Sequence, residues 1–205
     1  MRALYLEDRR RAPAGRIVAG VDEVGRGPLA GPVFAGAVIL GPGTRIAGLD
    51  DSKRLTPDAR EALDAEIRAR AVAVAVGEAS VAEIDRFNIL GASLLAMRRA
   101  VDTLVPGPQF LLVDGRERLP GLHPHATVVR GDALCASISA ASIVAKVARD
   151  RVMCGLHDAY PAYGFFHNKG YGTRDHLEAL IREGPCPAHR RAFLRPAQVT
   201  LIGLR

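Results

Sequence analysis

Three apolar runs that stop at acidic residues constrain this chain more than any other feature. Phe110-Leu111-Leu112-Val113 is wholly apolar and ends at Asp114-Gly115. A strand buried on both faces of a parallel sheet reads this way, whereas a half-exposed strand alternates. Ile17-Val18-Ala19-Gly20-Val21 stops in the same manner at Asp22-Glu23, and Thr127-Val128-Val129 ends near Gly131-Asp132. Sites in open α/β sheets form at the carboxyl ends of strands, so three such ends carrying acid predict both a fold class and a place for chemistry.

The rest of the chain fits that frame. Val33–Leu40 reads as a second strand after a Gly/Pro turn, and Ala71–Val76 (AVAVAV) has strand composition. Thr56-Pro57-Asp58 starts a helix, with Thr as N-cap and Pro in the first helical position. Ser80-Val81-Ala82-Glu83 is a capping box. Leu90, Leu94, Met97, Val101 and Leu104 then form one amphipathic stripe. A long helix is predicted from about Ala136 to Ala159, stopped by Pro161, and a last one runs from a Thr173 cap to Glu183, with Gly184 past its end. Strands pair first as a meander and later alternate with helices, which predicts one mixed-sheet α/β domain followed by a helical C-terminal portion. The expected divisions are a loose arm over 1–15, the main domain over 16–160 and the C-terminal portion over 161–205.

A length of 205 residues suits one such domain, and 48% hydrophobic residues are enough to fill a core. No apolar run approaches the ~20 residues that span a bilayer. The N-terminal MRALYLEDRRR lacks the apolar segment of a signal peptide, and three cysteines without framework spacing suit a reducing compartment. A soluble, cytoplasmic protein is expected. The net charge of +6 favours a polyanionic partner. Of 28 basic residues only Lys53, Lys146 and Lys169 are lysine, a skew that suggests those positions want a compact ammonium.

A carboxylate that ends an apolar strand is partly desolvated, and several converging would repel one another unless a divalent cation neutralised them. All-oxygen ligation points to Mg²⁺ or Mn²⁺ rather than zinc. Each acid alone also has a plainer reading: Asp114-Gly115 and Gly131-Asp132 are ordinary turn or cap sequences. Adjacent Asp22-Glu23 is less ordinary, because strand neighbours point to opposite faces.

Taken in order, the motifs resemble bacterial ribonuclease HII. Those motifs are GVDEVGRGPLAGPV (Gly20–Val33), LDDSKRL (Leu49–Leu55), FNIL (Phe87–Leu90), LVDG (Leu112–Gly115), RGD (Arg130–Asp132), SAASIVAKVARD (Ser139–Asp150), FHNKGYGT (Phe166–Thr173) and HRRAF (His189–Phe193). The resemblance spans about residues 16–195. It implies a ribonuclease H-like five-stranded mixed sheet flanked by helices, with a helical C-terminal extension that completes the substrate site. It also implies Mg²⁺ or Mn²⁺, two ions during catalysis, held by Asp22, Glu23, Asp114 and Asp132. The implied activity is cleavage of the RNA strand of RNA–DNA hybrids and incision 5′ of single ribonucleotides in duplex DNA, leaving 3′-hydroxyl and 5′-phosphate ends. Gly25, Arg26 and Gly27 would read the 2′-hydroxyl, and Tyr171 would pack on the neighbouring sugar. Two departures, Arg130 and Arg54 where the family usually has lysine, keep the charge.

Lys53, Ser142 and Lys146 are candidates for contact with the nucleic-acid backbone; Ser142 and Lys146 are four apart and share a helix face. Asn88 suits either a sugar or base contact or a helix cap. Cys154-x-x-His157 and Cys186-x-x-His189 superficially resemble zinc ligands, but the first pair lies inside a predicted helix and the resemblance supports no zinc. Gln198-Val199-Thr200-Leu201 partly matches a sliding-clamp peptide and lacks its terminal aromatic. A monomer is expected. The alternative function is a catalytically silent hybrid-binding protein of the same fold. Such a binder would gain affinity by losing its acids, yet all four are present.

Overall fold

The computed structural model describes residues 2–49, 55–119 and 123–194. Its centre is a five-stranded sheet in the order β3-β2-β1-β4-β5. The strands are β1 (Val18–Val24), β2 (Val33–Ile39), β3 (Ala73–Ala79), β4 (Phe110–Asp114) and β5 (His125–Val128). β1, β2 and β3 pair as an antiparallel meander, whereas β4 runs parallel to β1 and β5 parallel to β4. The mixed sheet is therefore as the sequence predicts, and the carboxyl ends of β1, β4 and β5 share one edge.

Helices cover both faces. α5 (Ala136–Ala159) crosses one face with all of Ala136–Ala145 buried. A Cβ on Gly36 would lie 2.2 Å from the Ala141 carbonyl oxygen, so the bare backbone of β2 is what lets α5 seat this deeply. α3 (Val81–Asp102) packs its Ala92, Ala96, Met97, Ala100 and Val101 face on the opposite side. Its capping box forms as expected, with Glu83 N donating to Ser80 Oγ at 3.3 Å and Ser80 N to Glu83 Oε2 at 2.8 Å. α2 (Pro57–Arg70) starts at the Thr56 cap. Short α4 (Gly131–Leu134) precedes α5, and α6 (Phe165–Asn168) and α7 (Arg174–Glu183) follow it.

Several boundaries differ from the sequence reading. Residues of the supposedly loose arm form a helix, α1 (Arg2–Arg11). Its basic run hides two anchors: Tyr5 is buried and its hydroxyl accepts from Ile46 N at 2.8 Å, and Asp8 accepts from Ser137 N at 3.0 Å. α5 has no side-chain cap of its own, so Asp8 supplies one from a distant helix. The expected strand 71–76 shifts to 73–79 because α2 runs to Arg70. The single stripe from Leu90 to Leu104 is interrupted upstream: Asn88 has φ 58° inside α3, and Leu90 is 36% exposed.

Among the described residues, no helix is long and apolar enough to cross a membrane.

Candidate active site

Asp22 and Glu23 lie on β1, Asp114 is the last residue of β4, and Asp132 sits in α4 just past β5. The structure brings all four together. Burial, then the charges of Glu23, Asp114 and Asp132, push the Asp22 carboxyl well above its usual range, while a hydrogen bond from Ser142 opposes them. Burial likewise raises Glu23, against the neighbouring Arg26, and raises Asp114, against the Gly131 backbone amide. Burial is the largest cause throughout, and the charges of neighbouring acids add to it.

Alternation along β1 sends the adjacent pair to opposite faces. Asp22 is 5% exposed and meets Ser142 on α5. Glu23 faces α3, where a cavity of about 220 Å³ is lined by Glu23, Arg26, Leu90, Ser93, Met97 and Asp114 among others. The acids straddle the sheet edge, with β4 between β1 and β5. Arg130 takes a left-handed conformation, φ 58°, and turns the chain so that Gly131 N donates to Asp114 Oδ1 at 2.6 Å. That backbone strain, roughly 1–2 kcal/mol for a residue with a Cβ, fixes Asp132 beside Asp114.

Oxygen-only donors suit a hard divalent cation. Among the described residues, no three His, Cys, Asp or Glu side chains are already drawn around a common ion position. Local donors hold the acids instead: Asp22 Oδ1 accepts from Glu23 N at 2.8 Å, Glu23 Oε1 from Arg26 at 3.2 Å, and Asp132 Oδ1 from Ala133 N at 3.0 Å.

The turn after β1 is built from the inside by two arginines. Arg190, 0% exposed, donates to the carbonyls of Gly25 (2.6 Å), Arg26 (3.1 Å), Pro28 (2.8 Å), Gly31 (2.8 Å) and Pro32 (3.2 Å). Arg149, 1% exposed, donates to Ala30 O, Pro32 O and Lys169 O. No carboxylate pairs with either among the described residues; inward-turned carbonyls take that role. Gly25 adopts φ +96°, and a Cβ there would meet Arg149 Nε at 2.3 Å. Tyr171, 47% exposed, lies across from this turn, its ring 3.7 Å from where a Cβ on Gly27 would stand.

Other candidates fall in mixed places. Ser142 is buried against Asp22 rather than on an open helix edge. Lys146 pairs with Asp150, which Arg60 also approaches at 3.7 Å. The Asn88 side chain caps the second half of α3, accepting from Leu90 N at 2.9 Å and Gly91 N at 3.1 Å. Lys53 lies outside the described residues. Sequence reasoning gave no role to Arg149, Arg190 or His176, and weighed His189 only as half of a zinc-like Cys186/His189 pair. The signal available was a charged residue on an otherwise apolar helix face, and the HRRAF block.

A mixed sheet of this order flanked by helices is the ribonuclease H-like fold. The chain belongs to the ribonuclease HII family: the model of that family matches residues 19–197. It is a ribonuclease H enzyme. Ribonuclease HII of Nitrosococcus oceani is 58% identical over 184 residues, covering 90% of this chain and 91% of that protein. The ribonuclease H2 of Pyrococcus horikoshii superposes with a TM-score of 0.74 at 27% identity, over 91% of this chain and 97% of that one. A ribonuclease HII of Archaeoglobus fulgidus, solved as a complex with PCNA, gives 0.66 at 25% identity over 86% of this chain and 95% of that one.

Proposed function

We propose that this enzyme cleaves the RNA strand of RNA–DNA hybrids and also incises 5′ of single ribonucleotides in duplex DNA, leaving 3′-hydroxyl and 5′-phosphate ends. Family membership supports the first activity. One observation carries the second: the Gly25–Gly27 turn, with its carbonyls pinned inward by Arg190, faces the exposed ring of Tyr171. A single ribonucleotide differs from its DNA neighbours by one 2′-hydroxyl. Discriminating on one hydroxyl needs polar groups placed where they would go unpaired without it, and a fixed glycine turn offers backbone groups at close range. Tyr171 then packs on the adjacent deoxyribose.

Asp22, Glu23, Asp114 and Asp132 would hold Mg²⁺ or Mn²⁺, two ions during turnover. When bound, these ions supply an activated water and neutralise charge on the scissile phosphate. The chain's own part is to present four carboxylates whose repulsion a dication relieves, and to free Glu23 from Arg26 so that the guanidinium meets a phosphate. Lys146 and Lys53 would neutralise further phosphates. Residues 161–205 complete the substrate site through Tyr171 and Arg190. The possible clamp segment, Gln198–Leu201, lies outside the described residues and rests on its sequence and on the PCNA complex of the Archaeoglobus relative.

The test is a duplex carrying one ribonucleotide, incubated with Mg²⁺ or Mn²⁺ and with EDTA, with the ends mapped. A 5′-side cut that EDTA abolishes is expected. A cut on the 3′ side, or EDTA-resistant cleavage, would overturn the reading, and tight binding without cleavage would favour the silent binder.

A further inference from the structure

The Gly25–Gly27 and Gly170–Gly172 turns, proposed above to read the sugar, are joined from behind by a pair of histidines. His176, in the first turn of α7, and His189 are 0% and 2% exposed. His176 Nδ1 lies 2.8 Å from the Tyr171 carbonyl oxygen. A carbonyl only accepts, so Nδ1 carries the hydrogen and Nε2 of a neutral ring does not. His176 Nε2 is 3.0 Å from His189 Nε2, which must therefore donate. That leaves His189 Nδ1 as an acceptor, and Cys186 N donates to it at 3.0 Å. The Cys186 thiol, at 3.2 Å from the same atom, points a weak donor there; the Cys186 carbonyl, at 3.3 Å, is the longer contact and lacks a hydrogen to accept. One tautomer assignment thus satisfies every short contact.

The chain of contacts continues into both turns. His189 bridges Ala30, Gly31 N donates to Ala188 O, and Arg190 N donates to Leu29 O, both at 2.8 Å. Leu29 N in turn donates to Gly170 O at 2.8 Å. The backbone of His189 is therefore stitched to the segment after Gly27, while the ring of His176 holds Tyr171. We propose that His176 and His189 form a neutral, tautomer-locked pair that sets the spacing between the Gly25–Gly27 and Gly170–Gly172 turns, and that they are positioning residues for ribonucleotide discrimination. The second half of that statement rests on the sugar-reading role proposed above for those turns.

The surroundings keep the pair uncharged. Tyr163 and Phe165 wall it, with ring centroids 4.8 Å from His189 and 5.3 Å from His176 respectively. The titratable or charged groups against it are the Cys186 thiol, the Tyr163 phenol, which donates to Gly184 O, and the Arg190 guanidinium, which is turned to the 25–32 segment. No carboxylate contacts either ring among the described residues. Burial holds both below the usual histidine range, His189 down to about 4. A proton added to His189 Nδ1 would face the Cys186 N–H, and one added to His176 Nε2 would face the His189 N–H.

Nitrogen-15 NMR of the full chain at pH 7 tests the pair without any substrate. Hydrogen on His176 Nδ1 and His189 Nε2, with both rings neutral, is expected; a charged ring, or the opposite tautomers, overturns the lock. Kinetics test the positioning. His176→Ala and His189→Phe should each lose about tenfold or more on the single-ribonucleotide duplex and about threefold or less on a long hybrid, while His176→Asn, whose amide can still donate to Tyr171, should recover most of the loss. Equal losses on both substrates, or no rescue by Asn, overturn the positioning role. If Tyr171→Ala itself does not distinguish the substrates, the sugar reading fails, and the NMR tautomers still decide whether the lock exists.

Discussion

The Ser142 hydroxyl on α5 donates to the Asp22 carboxylate on β1 and opposes the burial and acid repulsion that raise its pKa. This contact exists because α5 seats deeply on the sheet. A hydrogen bond to a charged group is worth about 1.5–3 kcal/mol. Ser142→Ala should therefore move the acid limb of the pH–rate profile to higher pH by about one to two units. A pH series of single-turnover rates checks this, and an unmoved limb would leave Ser142 a packing residue.

Removing an acid should stop turnover and firm up the metal-free fold. The carboxyls of Asp22 and Asp114 have raised folded-state pKa values, so their contribution to stability is lost as pH rises through those values. At neutral pH their charges cost stability, and Asp22→Asn or Asp114→Asn relieves it. Tm in EDTA should rise by a few degrees, at roughly 2–4 °C per kcal/mol for a chain of this size. Asp114→Asn keeping more than about a tenth of wild-type rate at saturating Mg²⁺ would remove that residue from the catalytic set.

Gly27→Ala and Tyr171→Ala probe the proposed sugar-reading role from its two sides. A Cβ on Gly27 would sit 3.7 Å from the Tyr171 ring, an ordinary contact, so the free protein accommodates it. Its effect should show only with substrate, by crowding the sugar. Tyr171→Ala should lower activity on single ribonucleotides more than on long hybrids. Both substrates are to be measured for both variants; equal losses for Tyr171→Ala would return it to packing.

Arg190→Met removes the guanidinium from five carbonyls; Pro32 O keeps its bond from Arg149, and those of Gly25, Arg26, Pro28 and Gly31 lose theirs. Each buried, unsatisfied group costs about 1–3 kcal/mol, offset in part by water entering. A net loss of at least ~3 kcal/mol, or a Tm drop of roughly 6–12 °C, is expected in thermal unfolding.

Asp8 gives a pH signature of its own. Burial pushes its carboxyl up to about 6, against donors from Ser137. The sign follows: the favourable protonated form is fully present below the unfolded pKa near 3.8 and its contribution is lost as pH rises to about 6. The loss is at most roughly 3 kcal/mol. Asp8→Asn does not titrate, so urea unfolding at pH 4 and pH 6.5 should show the variant gaining on wild type at the higher pH; parallel curves would refute the buried charge.

Much of the fold was legible because apolar runs and caps are local signals. The mixed sheet followed from an early meander and a later alternation of strands with helices, and Thr56, Ser80 and Thr173 marked helix starts by their own chemistry. α1 was not legible, since its burial depends on Tyr5 reaching Ile46 and Asp8 reaching the start of α5. Nor was the break at Asn88, where a side-chain cap interrupts an otherwise continuous stripe. The acids could be proposed from their place after apolar runs. The partners of the site could not: helix spacing does not reveal which face the sheet covers, and so does not show Ser142 meeting Asp22. Arg149, Arg190 and the two histidines are buried polar groups satisfied by distant backbone or by each other, and hydropathy codes such residues as surface.

The order in which the chain leaves the ribosome matters for a nuclease. Val18 pairs with Phe110, and the carbonyls of the Gly25–Pro32 segment wait for a guanidinium at position 190. Contacts this distant in sequence form late, because loop closure precedes any gain from them. A nascent chain carrying Asp22 and Glu23 therefore lacks β4, Asp132 and the Arg190 brace of its Gly25–Pro32 turn for most of synthesis. The acids at the ends of β1, β4 and β5 and the arginine that braces the turn beside them thus come together only when nearly the whole polypeptide exists.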